Sequence, residues 1–97
     1  MLTFEWDEAK AISNRAKHGI SFSIARRVFS DPCHIETLDH RETTEHRFLT
    51  IGMVHGKELC VVYTTRSETI RIISAREATR YEIFRYWQNR QKRALPR

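Results

Sequence analysis

The spacing of apolar residues predicts a short strand and then a helix at the start of the chain. Thr3-Phe4-Glu5-Trp6 alternates polar and apolar side chains, which is the pattern of a half-buried strand. Asp7 suits the N-cap of a helix, because its carboxylate accepts hydrogen bonds from the first backbone N–H groups. His18-Gly19 marks the end of this helix, since Gly readily adopts the left-handed conformation found there. The expected apolar stripe of the helix is Ala9, Ile12 and Ala16.

A second helix is predicted to begin after Ser21 and to end before Asp31-Pro32. The Ser21 hydroxyl can cap the helix, and Pro disfavours helical geometry in the residue that precedes it. Four apolar residues form the expected inward face, namely Phe22, Ala25, Val28 and Phe29.

Four strands are predicted in the middle of the chain. They are residues 35–38, 47–54, 58–65 and 69–74, which are short apolar or alternating segments. His55-Gly56 supplies a tight turn between two of them. The segment Leu59-Cys60-Val61-Val62-Tyr63 is apolar throughout, as expected of a central strand.

A final helix is predicted from the spacing of Ser74 and Glu77. A Ser followed three residues later by Glu has the pattern of a capping box, so the helix is expected to begin there. The residues after Gln88 are polar and basic and are expected to fray. The expected apolar face of this helix is Ala78, Tyr81 and Phe84, with Tyr86 or Trp87 beyond them.

These elements predict an α+β fold in the order β-α-α-β-β-β-β-α, with an antiparallel sheet and helices packed on one face. A chain of 97 residues has room for one hydrophobic core. We assign residues 1–90 to a single domain and residues 91–97 to a basic tail. No apolar run approaches the roughly 18 residues of a membrane span, and the first residues lack the features of a signal peptide. The sequence therefore predicts a cytoplasmic protein with no membrane partner.

Charge is distributed unevenly along the chain. Residues 66–97 contain nine Lys and Arg against three Asp and Glu, whereas residues 1–65 contain eight against nine. The formal excess of +5 therefore arises in the last third. Such asymmetry favours a polyanionic partner, either nucleic acid or an acidic protein segment.

The basic residues of the last third are candidates for a phosphate-binding surface. A strand would direct Ile70 and Ile72 to one face and Arg71 to the other. A guanidinium suits phosphate because its planar fork donates two parallel hydrogen bonds. Arg76 and Arg80 are four residues apart and are expected to lie on one face of the final helix. The cations expected to converge on the sheet are Lys17, His18, Arg66, Arg71, Arg76 and Arg80.

Salt bridges are the alternative interpretation of these arginines. Glu68, Glu77 and Glu82 are close to several of them in sequence and could neutralise them. An arginine held in this way would support the fold and would not bind phosphate.

Cleavage of RNA without a metal needs a base for the 2′-hydroxyl proton, cations for the charged phosphorane, and an acid for the leaving oxygen. Histidine gains and loses its proton near neutral pH and can act as base or acid. The candidate proton-transfer groups are His18, His40, His46 and Glu45. The tyrosines that could stack on bases are Tyr63, Tyr81 and Tyr86.

No cofactor or metal site is predicted. His34, His40 and His46 are six residues apart, which is wider than the pairs of structural zinc sites. No phosphate-cradling glycine loop or nucleophile elbow is present. Cys33 and Cys60 match no metal or redox spacing and are expected to be free thiols.

The order of several motifs resembles the BrnT family of toxins. The resemblance covers about residues 4–82. It rests on Phe4-Glu5-Trp6-Asp7-Glu8, Lys10, Asn14, Lys17-His18-Gly19-Ile20-Ser21-Phe22, Ala25, Val28-Phe29, Asp31-Pro32, Glu45, Arg47, Ile51-Gly52, Leu59, Val61-Val62-Tyr63-Thr64, Arg66, Ile70-Arg71-Ile72-Ile73-Ser74-Ala75-Arg76, Ala78-Thr79 and Glu82.

This resemblance implies the toxin of a type II toxin–antitoxin pair, with a fold similar to that of RelE-type ribonucleases. It implies metal-independent RNA cleavage and a BrnA-like antitoxin that covers the toxin. That antitoxin would bind operator DNA through a ribbon-helix-helix portion, so that DNA is contacted only through the partner. The family's basic positions here are Lys17, Arg47, Arg66, Arg71 and Arg76, with His18 and Glu45 as titratable companions.

The leading hypothesis is therefore an endoribonuclease that inhibits translation. Its expected catalytic residues are Lys17, His18, Glu45, Arg66 and Arg76, and its expected RNA-binding residues are Arg47, Arg71, Arg80 and Tyr81. A second hypothesis is a non-catalytic basic module that binds an acidic protein or nucleic acid and acts in operon regulation. A third is a DNA-binding repressor, which is disfavoured because no helix-turn-helix or ribbon arm is recognisable.

Overall fold

A five-stranded sheet lies at the centre of the protein. The computed structural model describes residues 2–39 and 46–94. The elements follow in chain order as β1 (Thr3–Glu5), α1 (Glu8–His18), α2 (Phe22–Ala25), a 3₁₀ helix (Arg26–Ser30), β2 (Ile35–Asp39), β3 (Arg47–Val54), β4 (Lys57–Arg66), β5 (Thr69–Glu77) and α3 (Arg80–Ala94). The predicted α+β class is confirmed.

The sheet is mixed, because its first strand runs parallel to its neighbour. The strand order is β1-β5-β4-β3-β2. Strands β2 to β5 pair antiparallel in sequence order, whereas β1 pairs parallel with β5 through Thr3↔Thr69 and Glu5↔Arg71. The prediction of a wholly antiparallel sheet is therefore wrong for β1, which is too short for its sequence pattern to specify a partner.

Helices cover both faces of the sheet, so the prediction that they pack on one face is also wrong. On the first face, Phe22 of α2 shares a core with Leu59 and Val61 of β4. On the second face, Tyr86 of α3 packs against Cys60 of β4. Consecutive residues of β4 enter opposite cores because side chains alternate along a strand. Its uninterrupted apolar sequence is the pattern of a strand that is covered on both sides.

The predicted start and end of α1 and the predicted start of the second helix are confirmed, whereas the second α-helix ends at Ala25 and continues to Ser30 as a 3₁₀ helix. The carboxylate of Asp7 accepts a hydrogen bond of 3.1 Å from the backbone N–H of Lys10. Gly19 closes α1 in the left-handed conformation, with φ of 73°. The hydroxyl of Ser21 accepts a hydrogen bond of 3.1 Å from the N–H of Ile24. The expected inward face of the second helix is buried or partly buried in the core of the first face.

The buried side of α1 differs from the predicted stripe. The predicted residues Ala9, Ile12 and Ala16 are exposed, and Ile12 is 66% accessible. Asn14 is buried instead, and Ala11 packs against the core. The helix turns this side inward because Asn14 makes hydrogen bonds in the interior that no apolar residue can make.

Asn14 replaces a missing strand at the edge of β5. Strand β1 pairs only with residues 69–71 of β5, so the backbone beyond them needs another partner. The amide of Asn14 donates to the carbonyl oxygen of Ala75 at 2.9 Å, and its oxygen accepts from the Ala75 N–H at 3.1 Å. It also donates to the carbonyl of Ile20 at 3.0 Å, which fixes the turn between α1 and α2.

Asp31 does at the edge of β3 what Asn14 does at the edge of β5, because it binds backbone that strand β2 does not reach. Its carboxylate accepts hydrogen bonds of 2.8 Å from the N–H of Met53 in β3 and from the N–H of Cys33. It also accepts from the hydroxyl of Tyr86 in α3. Burial alone would raise the pKa of Asp31, but these hydrogen bonds outweigh it and lower the pKa. One carboxylate thus joins the start of β2, the end of β3 and the last helix.

The final helix begins later than predicted. Ser74 lies inside β5, where it pairs with Val62, so the Ser74–Glu77 capping box does not form. Thr79 and Glu82 form the equivalent box, because the Thr79 hydroxyl accepts from the Glu82 N–H at 3.2 Å and a Glu82 oxygen accepts from the Thr79 N–H at 2.8 Å. Both pairs have the same spacing, and strand pairing decides between them.

The later start also changes which side of the last helix is buried. Tyr81 and Phe84 were expected to face the core but are 68% and 62% accessible. Tyr86 is fully buried in their place. The helix continues to Ala94, so residues 89–94, which were expected to fray, are helical. The predicted tail, residues 91–97, begins within this helix.

Two further observations concern the class of the protein. No helix in the described part of the chain has both the length and the hydropathy needed to cross a membrane. Within the described residues, neither Cys33, which is partly buried, nor Cys60, which is buried, is in a disulfide.

Replacing Asn14 should destabilise the protein strongly. In Asn14→Ala, the N–H and carbonyl of Ala75 lose their partner in a buried setting, and each unsatisfied group costs about 1–3 kcal/mol. We expect the free energy of unfolding, measured by urea denaturation, to fall by about 2–4 kcal/mol.

Ser13→Ala is the matched control, because Ser13 is exposed one position earlier on the same helix. This variant should change the free energy of unfolding by less than about 0.5 kcal/mol. An Asn14→Ala protein as stable as this control would show that water replaces the amide at Ala75.

Candidate functional site

Five residues of the second face form a row across all five strands, which we call the charged row. Strand pairing sets Asp39 beside Arg47, Thr64 beside Arg71, and Arg71 beside Glu5. Phe48 of β3 pairs with Tyr63 of β4, so Arg47 and Thr64 face each other one position further along these antiparallel strands. The row therefore has an acid on each outer strand and an arginine on the strand beside each acid.

The guanidinium of Arg71 is held by Glu5. Its Nη1 atom lies 2.8 Å from a carboxylate oxygen of Glu5, and the two side chains are 27% and 39% accessible. A partly exposed ion pair of this kind contributes only about 1 kcal/mol or less. Arg71 can therefore exchange this partner for a phosphate at little cost.

Arg66 lies beside the charged row. It is the last residue of β4, is exposed, and pairs with Thr69. Arg66 is two residues beyond Thr64, so both side chains point to the second face. Because Thr64 faces Arg71, Arg66 is a diagonal neighbour of Arg71, at a Cα distance of roughly 7–8 Å. Two arginines at this distance can bind one phosphate or two consecutive phosphates.

The candidate proton-transfer residues are near the same end of β3. His46 is exposed and precedes Arg47 in the chain, and its carbonyl accepts a hydrogen bond of 2.7 Å from the Thr64 hydroxyl. His46 thus borders the charged row. Glu45 and His40 lie outside the described residues.

Arg76 reaches the second face through an irregularity in β5. Arg71 and Arg76 are five residues apart and would point to opposite faces in a regular strand. The register with β4 shifts, so that Ile72 faces Tyr63 and Ser74 faces Val62. The extra residue, Ile73, is a β-bulge that turns Arg76 to the same face as Arg71. Arg76 thus belongs to β5, and the prediction that Arg76 and Arg80 share a helix face is wrong.

The guanidinium of Arg76 is already occupied by a carboxylate. Its two Nη atoms donate to the two oxygens of Glu82 at 2.8 and 2.9 Å. Burial alone would raise the pKa of Glu82, but hydrogen bonds from Arg76 and Thr79 outweigh it and lower the pKa to about 2. The hydrogen bond to Glu82 also raises the pKa of Arg76. This geometry matches the salt-bridge interpretation, in which Arg76 joins β5 to α3.

Arg80 and Tyr81 lie in the first turn of α3, away from the pairs that form the charged row. Both side chains are exposed, and the guanidinium of Arg85 lies 6.0 Å from the centre of the Tyr81 ring. Among the tyrosines considered for base stacking, Tyr63 and Tyr86 are buried and hydrogen-bonded to Glu36 and Asp31, respectively. Only Tyr81 of these three presents a ring to solvent.

The structure does not bring Lys17 and His18 together with the charged row. They end α1 near Glu77, because Asn14 of the same helix is bonded to Ala75. Arg71 and Glu77 are six residues apart in β5, which corresponds to about 20 Å. The expected convergence of these cations on one site is therefore wrong, although both side chains are exposed.

Glu5, Thr64 and Asp39 belong to the charged row but were not among the site residues predicted from the sequence. Glu5 reaches Arg71 only because β1 pairs with β5, a contact between residues 66 positions apart. The sequence alone does not show which strands pair, so these residues could not be assigned to one row. Within residues 2–39 and 46–94, no three His, Cys, Asp or Glu side chains cluster as metal ligands do.

Comparison with known proteins identifies one family. The model of the family described as "Ribonuclease toxin, BrnT, of type II toxin-antitoxin system" matches residues 6–82. This range contains α1, α2, all of β2 to β5 and the first turn of α3. No curated protein matches the sequence significantly.

Acid should remove the stability that Glu82 contributes. The pKa of about 2 in the folded protein lies below the ordinary value of 4.5, so the contribution is complete above about pH 4.5 and is lost as the pH falls towards 2. In Glu82→Gln, we expect the urea midpoint to fall less steeply over this pH range. Glu68→Gln, in the exposed turn between β4 and β5, should retain the steepness of the unmodified protein. Equal steepness in Glu82→Gln would contradict the role of the ion pair.

Proposed function

The chain belongs to the BrnT family of ribonuclease toxins from type II toxin–antitoxin systems, and from this premise we propose that it cleaves RNA, without a metal ion, at the charged row. Membership implies an RNA substrate and a protein antitoxin as partner. The observation that supports the location is the set of three arginines, Arg47, Arg66 and Arg71, at one end of the second face.

The proposed reaction is an attack of the RNA 2′-oxygen on the neighbouring phosphorus. A base accepts the 2′-hydroxyl proton, the new oxygen–phosphorus bond forms, and the bond to the 5′-oxygen breaks while an acid protonates that oxygen. Arg66 and Arg71 would stabilise the negative charge on the pentacovalent phosphorane, because guanidinium forks fit its equatorial oxygens. Arg47 would bind an adjacent phosphate.

The proton-transfer groups are proposed to come from the start of β3. Glu45 and His46 directly precede Arg47 in the chain, and both residue types exchange protons in ribonuclease chemistry. Either residue can serve as the base in this proposal. Arg80 and Tyr81 would bind RNA beyond the cleavage point, with the exposed Tyr81 ring stacking on a base.

Arg76 is proposed to act by holding the site together. Its bidentate contact with Glu82 fixes the start of α3 against β5, on the face that also presents Arg71. Lys17 and His18, which were expected to be catalytic, are about 20 Å away along the sheet. We therefore omit them from the cleavage step.

The biological role that follows is inhibition of translation in the cytoplasm. A BrnA-like antitoxin with a ribbon-helix-helix portion would neutralise the toxin and connect the pair to operator DNA. The second candidate is a non-catalytic basic module in the same regulatory complex. The arginines of the charged row would support it equally, so only a cleavage assay separates the two.

Removal of Arg71 or Arg66 should abolish RNA cleavage while leaving the fold intact. Loss of one transition-state donor typically costs about 100-fold to 1,000-fold in rate. We expect this loss of kcat/KM in Arg66→Ala and Arg71→Ala, measured on a fluorescent oligoribonucleotide. Arg71→Lys should recover only part of the rate, because an ammonium lacks the planar fork.

Arg26→Ala is the matched control. Arg26 is an exposed arginine of the 3₁₀ helix and donates to the carbonyl of Ser23. The Arg26→Ala protein should cleave RNA at the normal rate and should arrest growth when it is expressed alone. Full activity in both Arg66→Ala and Arg71→Ala would show that RNA is cleaved elsewhere on the protein. An unmodified protein that is folded but does not cleave RNA would favour the non-catalytic module.

Cleavage should persist in excess EDTA and leave 2′,3′-cyclic phosphate ends. Attack by the 2′-oxygen needs proton transfer and cationic stabilisation, both of which side chains can supply. The ends are identified by mass spectrometry of the products. Loss of activity on chelation, with recovery on addition of zinc or magnesium, would exclude the metal-independent mechanism.

A further inference from the structure

A second cationic site lies at the opposite end of the sheet from the charged row. A cavity of about 400 Å³ is bounded by the end of α1, the turn between β3 and β4, and the end of β5. This size is within the range of small-molecule sites. The charged and titratable residues that line it are Arg15, His18, His55, Lys57 and Glu77.

The cations of this cavity form no ion pairs with the described residues. Within the described residues, Arg15, His18 and Lys57 form no ion pair or side-chain hydrogen bond. Glu77 is the one carboxylate of the lining, against the fixed charges of Arg15 and Lys57. Arg15, Lys57 and Glu77 together therefore give the lining a net positive charge, and this charge favours an anionic ligand.

His55, in the turn between β3 and β4, also lines the cavity. His55 and Gly56 have φ of 51° and 79°, which makes a two-residue hairpin turn with a non-glycine residue in the left-handed region. Nη1 of Arg27 lies 3.2 Å from Nε2 of His55. Because a guanidinium only donates, this hydrogen bond requires an unprotonated Nε2 and leaves the proton on Nδ1. His55 then retains one N–H group for a ligand.

Beside Gly19 and Ser21, the remaining wall contains an apolar part. It is formed by Ile20, Ile24, Val54 and Leu59. An inorganic anion would leave this surface exposed to water, whereas an anion that carries a flat ring would cover it. Cations beside apolar side chains suit a nucleotide, because the cations can bind its phosphate and the apolar side chains can cover its base.

We propose that this cavity binds a single nucleotide, with its phosphate at Arg15, His18 and Lys57 and its base against the apolar wall. The site is separate from the charged row and does not depend on the cleavage mechanism proposed there. The proposal also gives a binding role to His18, which is part of the motif at the end of α1 that resembles the BrnT family.

The nucleotide can come from two sources with the same chemistry. A free nucleoside monophosphate would occupy the cavity alone. One nucleotide of a bound RNA would occupy it if the RNA passes around the end of the sheet, because the cavity lies on the first face and about 20 Å along β5 from Arg71, which lies on the second face.

Titration of the full chain with adenosine 5′-monophosphate tests the proposal. Backbone-amide NMR spectra should shift at residues 18–21 and 54–57, and inorganic phosphate should bind more weakly. Arg15→Gln and Lys57→Gln should each weaken nucleotide binding by about 10-fold, because a hydrogen bond to a charged group contributes about that factor or more. Lys10→Gln, on the same helix but outside the cavity, is the matched control and should bind normally.

The cleavage assay then identifies the source. A raised KM for long RNA with unchanged kcat in Arg15→Gln and Lys57→Gln assigns the site to the RNA substrate. Unchanged cleavage with weakened binding of the monophosphate assigns it to a free nucleotide. Both outcomes support the site.

Two outcomes would overturn the proposal. One is the absence of amide shifts at these residues with millimolar nucleotide. The other is normal nucleotide binding by Arg15→Gln and Lys57→Gln together with lost binding by Arg66→Ala and Arg71→Ala, which would assign the nucleotide to the charged row. Because binding is measured without cleavage, either result is independent of whether the chain is a ribonuclease.

Discussion

Two outer strands that are shorter than their neighbours govern the architecture of this protein. Strands β1 and β2 have 3 and 5 residues, whereas β3, β4 and β5 have 8, 10 and 9. Backbone groups of β5 and β3 therefore extend past their strand partners, and buried backbone groups must be hydrogen-bonded. Asn14 meets this need at Ala75, and Asp31 meets it at Met53. Each side chain comes from another layer, so the same bonds that complete the sheet also fix helices on its two faces.

The placement of α3 follows from this arrangement. Asp31 binds Tyr86, and Glu82 binds Arg76, so the helix is attached to the second face at two points. The contacts of α3 lie near Cys60, while the charged row crosses the sheet further along β4 at Thr64. One face of a small sheet is thus divided between a structural core and a cationic surface. A chain of this size needs such a division, because it has few residues to assign to each purpose.

The parts of the fold that depend on neighbouring residues could be predicted from the sequence. The caps at Asp7 and Ser21, the turn at His55-Gly56 and the placement of Ile70 and Ile72 on one face of β5 are of this kind. Features set by distant residues could not be predicted. The parallel pairing of β1, the burial of Asn14 and the later start of α3 all depend on what β5 contacts.

The candidate site shows the same limit. Residue type and charge identified Arg66, Arg71 and Arg76, but their roles differ because of their partners. Arg71 has one partly exposed contact with Glu5, whereas both Nη atoms of Arg76 are bound by Glu82. Spacing also failed to reveal that a bulge at Ile73 puts these arginines on one face. Lys17 and His18 were grouped with them by charge alone, and the direction of α1 separates them.

The parallel pair of β1 with β5 has a consequence for how the protein is made. Strand β1 finds its partner in residues 69–71, which are synthesised 66 positions later. Contacts between residues so far apart form late, because the intervening chain must be synthesised and ordered first. Glu5 can therefore orient Arg71 only when most of the polypeptide has emerged. Any activity that depends on the charged row is therefore delayed until residues 69–71 have been synthesised and have paired with β1.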